Sequence, residues 1–117
     1  MLYIMTLQQK QALFAKNVAS LIDYIFANQY SVTFAEAYRT PEQSALNAKE
    51  GKGIAHSLHT ERLAIDLNLF DSAGKYVEDK SEWEKFGIYW ESLNPANRWG
   101  GRFKTLVDSN HLEMQNL

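Results

Sequence analysis

The sequence predicts an α+β fold, a small antiparallel sheet with packed helices. Three observations predict it. Two long stretches carry apolar residues at spacings of three and four, two shorter ones alternate apolar and polar residues, and turn residues separate them. A chain of 117 residues fits one domain, and no linker, repeat or low-complexity tract divides it. The reading is therefore a single domain over residues 1–117, with an N-terminal helix at about 7–28 and a motif-bearing core at about 31–114.

Residues 7–28 place Leu7, Phe14, Val18, Leu21, Ile22, Ile25 and Phe26 on one helical face. Thr6 with Gln9 three residues later forms a capping box. Residues 31–38 read as a strand in which Val32, Phe34, Glu36 and Tyr38 alternate with Thr33, Ala35 and Ala37. Thr40-Pro41-Glu42-Gln43 starts a second helix, which runs to about Glu50 and stops at Gly51-Lys52-Gly53. Residues 54–62 read as a loop. A second strand over 63–70 turns Leu63, Ile65, Leu67 and Leu69 one way and Ala64, Asp66 and Asn68 the other. After the turn at 71–74, residues 75–77 return as a short strand. A third helix covers 80–93 with a stripe of Trp83, Phe86, Trp90 and Leu93, and Asn94-Pro95 ends it. Residues 98–103 read as a glycine-flexed loop, and 110–114 as a last strand with His111 and Glu113 on one face.

Composition excludes several classes. Cysteine is absent, which removes disulfides, thiolate nucleophiles and cysteine metal sites. Twelve basic and fourteen acidic residues give a charge of −2, no footprint for nucleic acid. No apolar run approaches the roughly 18 residues of a membrane span, and the first residues carry no basic signal-peptide region. The helical His-Glu-x-x-His motif, the Gly-x-Ser-x-Gly elbow and phosphate-binding loops are missing.

The polar residues that stand out are His56, His59, Asp66, Asp108, His111 and Glu113, with Arg39 after a strand end. His59 lies seven residues before Asp66, on the polar face of a strand, and a neighbouring strand would bring His111 to the same point. Two imidazoles and a carboxylate make a zinc shell with a fourth position open for water. Asp108 and Glu113 flank His111; one would serve as base and the other would orient a ligand imidazole, and spacing does not choose between them. Arg39 would face an oxyanion or anchor a substrate carboxylate. The plain alternative makes Asp66 a strand-end hydrogen bonder and His56 and His111 surface groups. Trp99, beside two glycines, reads equally as groove wall or as packing.

These residues resemble a known family. Tyr38-Arg39-Thr40 before a helix, Ser57-Leu58-His59, Ala64-Ile65-Asp66 and Asp108-Ser109-Asn110-His111-Leu112-Glu113, with Trp99-Gly100-Gly101 upstream, are similar in order and spacing to the M15 zinc peptidases that cut peptidoglycan stem peptides. That group holds the VanX- and VanY-type D-alanyl-D-alanine peptidases and the phage L-alanyl-D-glutamate endopeptidases. The resemblance spans about residues 34–114 and implies the D-alanyl-D-alanine peptidase/hedgehog-type zinc fold. It implies one zinc ion per chain, held by His59, Asp66 and His111. Asp108 takes the catalytic base position and Arg39 the oxyanion position. Ser57, Glu113 and Trp99 become supporting or substrate-contacting residues, and His56 a plain loop residue. Arg62 stands where many members have glycine, so a positive φ there would strain it.

The implied activity is hydrolysis of an amide bond in a peptidoglycan stem peptide. L-alanyl-D-glutamate endopeptidase leads, as an endolysin in phage-induced host lysis. D-alanyl-D-alanine carboxypeptidase or dipeptidase is the alternative, and a non-catalytic peptidoglycan-binding or phage structural module stands behind both. The short chain suggests a monomer with no separate wall-binding domain and no stable membrane association. It would be held in the host cytoplasm until a holin releases it to the wall.

Overall fold

The computed structural model describes residues 4–52 and 57–117. The first helix, α1 (Leu7–Ala27), opens on the expected capping box, with Thr6 Oγ1 accepting from Gln9 N–H at 3.1 Å and Gln9 Oε1 accepting from Thr6 N–H at 2.9 Å. Strand β1 (Ser31–Phe34) follows, then α2 (Pro41–Lys49), capped by Thr40 and closed by Gly51 at φ +75. A short 3-10 turn (Leu58–Glu61) leads into β2 (Ala64–Phe70), which pairs with the two-residue β3 (Tyr76–Val77). Helix α3 (Lys80–Ser92), β4 (Asn97–Trp99), a second 3-10 turn (Gly100–Arg102) and β5 (His111–Met114) complete the chain.

The strands form an antiparallel sheet in the order β1-β2-β5-β4, with β3 also pairing with β2. Its apolar face carries Leu67, Leu69 and Leu112, all fully buried. Phe14, Leu21 and Ile25 of α1 and Trp83, Phe86 and Trp90 of α3 cover that face. Phe14 meets Trp90 edge to face at 5.5 Å. The Trp90 indole N–H donates to the Arg98 and Glu113 carbonyls, each at 3.1 Å, which satisfies its polar atom inside the core. Both helices therefore lie on one face of the sheet, and the opposite face is left for polar side chains. Among the described residues no helix is long and apolar enough to cross a membrane.

Two expectations change. The strand expected over 31–38 ends at Phe34, because Ala35 and Glu36 both bond to Asp66 and break the regular ladder. Residues 97–99, expected partly as loop, form β4 against β5, with Trp99 opposite Leu112. His56 lies outside the described residues.

Candidate active site

The first site residue comes from the 3-10 turn. Ser57 Oγ accepts from His59 N–H at 3.2 Å and caps the turn. Arg62 ends it in the left-handed region, at φ 57 and ψ 36. The backbone thus takes a positive φ at this position, and a side chain with a Cβ occupies it. The Arg62 guanidinium lies over the Tyr38 ring, 4.0 Å from its centre. The turn delivers His59, 2 % exposed, onto the polar face of β2.

The other two residues come from strand register. Asp66 of β2 stands directly opposite His111 of β5, so both side chains project from the same face. His111 Nδ1 is 2.9 Å from Asp66 Oδ1, and His59 Nε2 is 3.4 Å from the same oxygen. The three donor atoms lie within 4.8 Å of one another. A tetrahedral zinc with bonds of 2.0–2.1 Å has donor-to-donor edges of roughly 3.3 Å. The spacing thus fits a metal ion.

The outer nitrogens strengthen that fit. His59 Nδ1 pairs with the Ala37 carbonyl at 3.1 Å, which makes Nδ1 the protonated nitrogen and Nε2 the bare one. That Nε2 is buried and has no hydrogen-bond partner. An unpaired buried acceptor is costly unless something else binds it. His111 Nε2 pairs with Glu113 Oε1 at 2.8 Å, leaving Nδ1 turned to Asp66. Each imidazole is therefore oriented by a partner on its far side, the usual arrangement around a metal-binding histidine. Glu113 is in turn held by Arg98, whose Nε donates to Oε2 at 2.8 Å.

Electrostatics follows the same geometry. Burial works to raise the Asp66 carboxyl, but hydrogen bonds and charge from the two neighbouring imidazoles, the His111 hydrogen bond foremost, outweigh it and hold it at about 2. Burial works to lower His111, but Asp66 and Glu113 push it up to about 9. Without metal, His111 is an imidazolium between two carboxylates. Burial works to raise Glu113, and His111 and Arg98 bring it below the usual carboxylate range.

Asp108 behaves differently. Its carboxyl is raised, first by desolvation and then by the negative Asp66, with His111 and His59 opposing. A carboxylate whose pKa is raised, lining the same groove as the candidate donor set, suits proton transfer. Its place is set by backbone. Asp108 N–H donates to the Gly100 carbonyl, and the Asp108 carbonyl accepts from His111 N–H, both at 3.1 Å. A Cβ on Gly100 would overlap that Asp108 carbonyl and sit 2.9 Å from His111 Cβ. Gly100 is required by this close approach.

Trp99 resolves toward packing. It is 1 % exposed, and its indole N–H donates to the Ser109 carbonyl at 2.7 Å. A Cβ on Gly87 or on Gly101 would collide with its ring. The Trp-Gly-Gly stretch is a post that steadies the loop before His111, and Trp99 does not line the groove.

The groove over the site has a volume of about 720 Å³. Arg39, Ser57, His59, Asp66, Asp108 and His111 all line it, so it joins every predicted catalytic and metal-ligating residue. Glu36 was not singled out by sequence reading. Its Oε1 accepts from Arg39 Nε at 3.0 Å and lies 3.9 Å from His59 Nε2. The missing signal was local, because regular alternation would turn Glu36 to the other face.

Residues 50–114 match the model of a family described as D-alanyl-D-alanine carboxypeptidase, among the M15 peptidases. No curated protein matches the sequence significantly. Solved structures similar in fold include the Serratia marcescens L-Ala D-Glu endopeptidase ChiX, with TM-score 0.72, 17 % identity, and coverage of 87 % of this chain and 77 % of that one. The LD-carboxypeptidase LdcB has TM-score 0.60 and 15 % identity, covering 88 % of this chain and 64 % of its own. A variant of the D,D-pentapeptidase VanY from a VanB-type resistance cassette, in complex with Zn(II), has TM-score 0.57 and 14 % identity, covering 86 % and 70 %. The family match spans more than half of the chain and takes in His59, Asp66, Asp108 and His111: the chain belongs to the M15 D-alanyl-D-alanine carboxypeptidase family of metallopeptidases.

Proposed function

We propose that this protein hydrolyses an amide bond in peptidoglycan stem peptides and that the bond is L-alanyl-D-glutamate. The observation that carries the reading is the convergence of His59 Nε2, Asp66 Oδ1 and His111 Nδ1, with the far nitrogen of each imidazole tied elsewhere. These three residues would hold one zinc ion. Zinc so held would supply Lewis acidity, activating water and polarising the amide carbonyl.

The chain's own groups supply the remaining steps. The Asp108 carboxylate takes a proton from the attacking water and then gives it to the leaving amine nitrogen. The Arg39 guanidinium donates hydrogen bonds to the oxyanion that forms on the carbonyl oxygen. Glu113, through His111 Nε2, fixes which imidazole nitrogen faces the metal.

The endopeptidase reading is supported by the fold similarity to ChiX, whose TM-score exceeds those of LdcB and VanY. A phage lysin role, with synthesis in the host cytoplasm and release by a pore-forming partner, belongs to the same proposal. The carboxypeptidase alternative is favoured by the description of the matched family. Mass spectrometry of purified peptidoglycan after incubation with zinc-loaded protein, with a chelated control, separates them. New amino termini at D-glutamate, lost on chelation, are expected. Release of terminal D-alanine would replace the endopeptidase reading with the carboxypeptidase one. No mass change from folded, zinc-bound protein would refute both.

A further inference from the structure

Strand β1 pairs with β2 in the register Phe34 opposite Leu67. Continued regularly, that register would set Ala35 opposite Asp66 and Glu36 opposite Ile65. The hydrogen bonds depart from it. Ala35 N–H donates to the Asp66 carbonyl at 3.0 Å, and Asp66 N–H donates to the Glu36 carbonyl at 2.8 Å. Two residues thus face one, as in a β-bulge, which re-aims the side chain that follows it. Ile65 points into the core. Glu36 instead reaches the polar face, where its Oε1 lies 3.9 Å from His59 Nε2.

There Glu36 engages Arg39. Its Oε1 accepts from Nε at 3.0 Å and also from Nη2. The Arg39 side chain is 15 % exposed and that of Glu36 is 37 % exposed, so the pair is not a freely solvated surface contact. Arg39 backbone N–H donates to the His59 carbonyl at 3.2 Å, which anchors the base of the side chain to the metal-site turn. A guanidinium has five N–H donors in a rigid fork. Glu36 takes one on Nε and one on Nη2, and both donors of Nη1 and the second of Nη2 remain.

We propose that Glu36 is a positioning residue: the bulge at Ala35-Glu36 turns it to grip the Nε side of Arg39, so that the outer edge of the guanidinium is presented to the substrate oxygen in the groove. This rests on the reading of Arg39 as the group that meets that oxygen.

The test uses Glu36→Ala, Glu36→Gln, Arg39→Ala and the Glu36→Ala/Arg39→Ala double variant, each zinc-loaded, on a soluble stem peptide. Misplacement of a catalytic contact costs up to about 100-fold. Glu36→Ala is expected to lower kcat by roughly 10- to 100-fold, with KM within about twofold and zinc stoichiometry unchanged. Glu36→Gln keeps an acceptor oxygen without the charge and is expected to recover part of the loss. The double variant should be no slower than Arg39→Ala. In metal-free protein, the Arg39 Nε–Hε NMR signal should be slow to exchange and should be lost in Glu36→Ala. Multiplying effects of the two single variants, equal losses for Gln and Ala at position 36, or full activity of Arg39→Ala would each overturn the proposal. If the wild type cleaves no stem peptide, the functional reading fails, and the Arg39 Nε–Hε signal still decides whether Glu36 holds the guanidinium; free exchange in the wild type would overturn that hold as well.

Discussion

Replacing Glu113 with Gln tests how the metal site is oriented. Both oxygens of Glu113 accept: Oε1 from His111 Nε2 at 2.8 Å, and Oε2 from Arg98 Nε at 2.8 Å. Gln has nearly the same shape but only one acceptor oxygen, so its NH2 must face one of two donors. Arg98 is the donor free to leave, because its side chain is 47 % exposed and can turn to water. The amide oxygen should then stay on His111, preserving the ring's orientation while losing the carboxylate's charge. Loss of such an outer partner costs about 10- to 100-fold in metal affinity, or roughly 1.4–2.7 kcal/mol. Glu113→Gln should fall near tenfold, and Glu113→Ala, which removes the acceptor altogether, near 100-fold. Competition titration against a chromophoric zinc chelator at fixed pH measures both. Wild-type affinity in Glu113→Ala would refute the reasoning, because something other than Glu113 would then orient the imidazole.

Four further outcomes follow from the same geometry. Asp108→Asn should lower turnover by roughly 10²- to 10⁴-fold while zinc content stays at the wild-type level; retained activity would remove Asp108 as the base. In metal-free protein, His111 is raised from its ordinary 6.5 to about 9, so its contribution is complete below pH 6.5 and lost as pH rises through 9, a difference of roughly 3 kcal/mol. Thermal melts in chelator across that range should show the loss, a zinc-loaded sample should not, and a flat metal-free profile would contradict the ion pairing. Gly100→Ala drives a Cβ into the Asp108 carbonyl and against His111 Cβ, and should cost about 1–3 kcal/mol or more in denaturant unfolding together with a loss of zinc affinity; a neutral result would show that the loop has room to move. Arg62→Gly relieves a left-handed φ worth about 1 kcal/mol but loses the Tyr38 contact and gains unfolded-state entropy, so stability should stay within about 1 kcal/mol of wild type, whereas Arg62→Ala, which keeps the strain and loses the contact, should be the less stable of the two.

Much of the fold was legible in local patterns. The Thr6/Gln9 box, the Thr40-Pro41 start, the alternation over 63–70 and the Trp83-Phe86-Trp90 stripe all reappear with their expected ends and faces. Strand β4 was hidden because three residues beside two glycines carry too short a pattern to read. The early end of β1 was hidden because a bulge is a property of the pair of strands, and the alternation of Glu36 with Val32 and Phe34 pointed the wrong way. Trp99 was ambiguous for a related reason. Its neighbours Gly87 and Gly101 flank the indole, and only one of them adjoins its stretch of sequence.

The candidate site divides along the same line. Residue types and strand alternation, read from the sequence alone, put Asp66 on a polar face and His111 with Glu113 on another, because side-chain direction in a strand depends only on parity. The choice of His59, Asp66 and His111 as a donor set came from their chemistry, and their order and spacing matched a family. Tertiary structure decided the rest. Pairing of residues 45 apart sets Asp66 opposite His111, and the Ala37 carbonyl selects which nitrogen of His59 is left bare. Glu113 and Arg98 hold the far side of His111, and a one-residue step in the β1–β2 ladder brings Glu36 to Arg39. Asp66 with His111, Ala37 with His59 and Arg98 with Glu113 are contacts between elements, set by register and packing, whose partners no short window of sequence contains. Glu36 and Arg39 are only three residues apart, yet they meet at the site because the pairing of two strands turns Glu36 to that face.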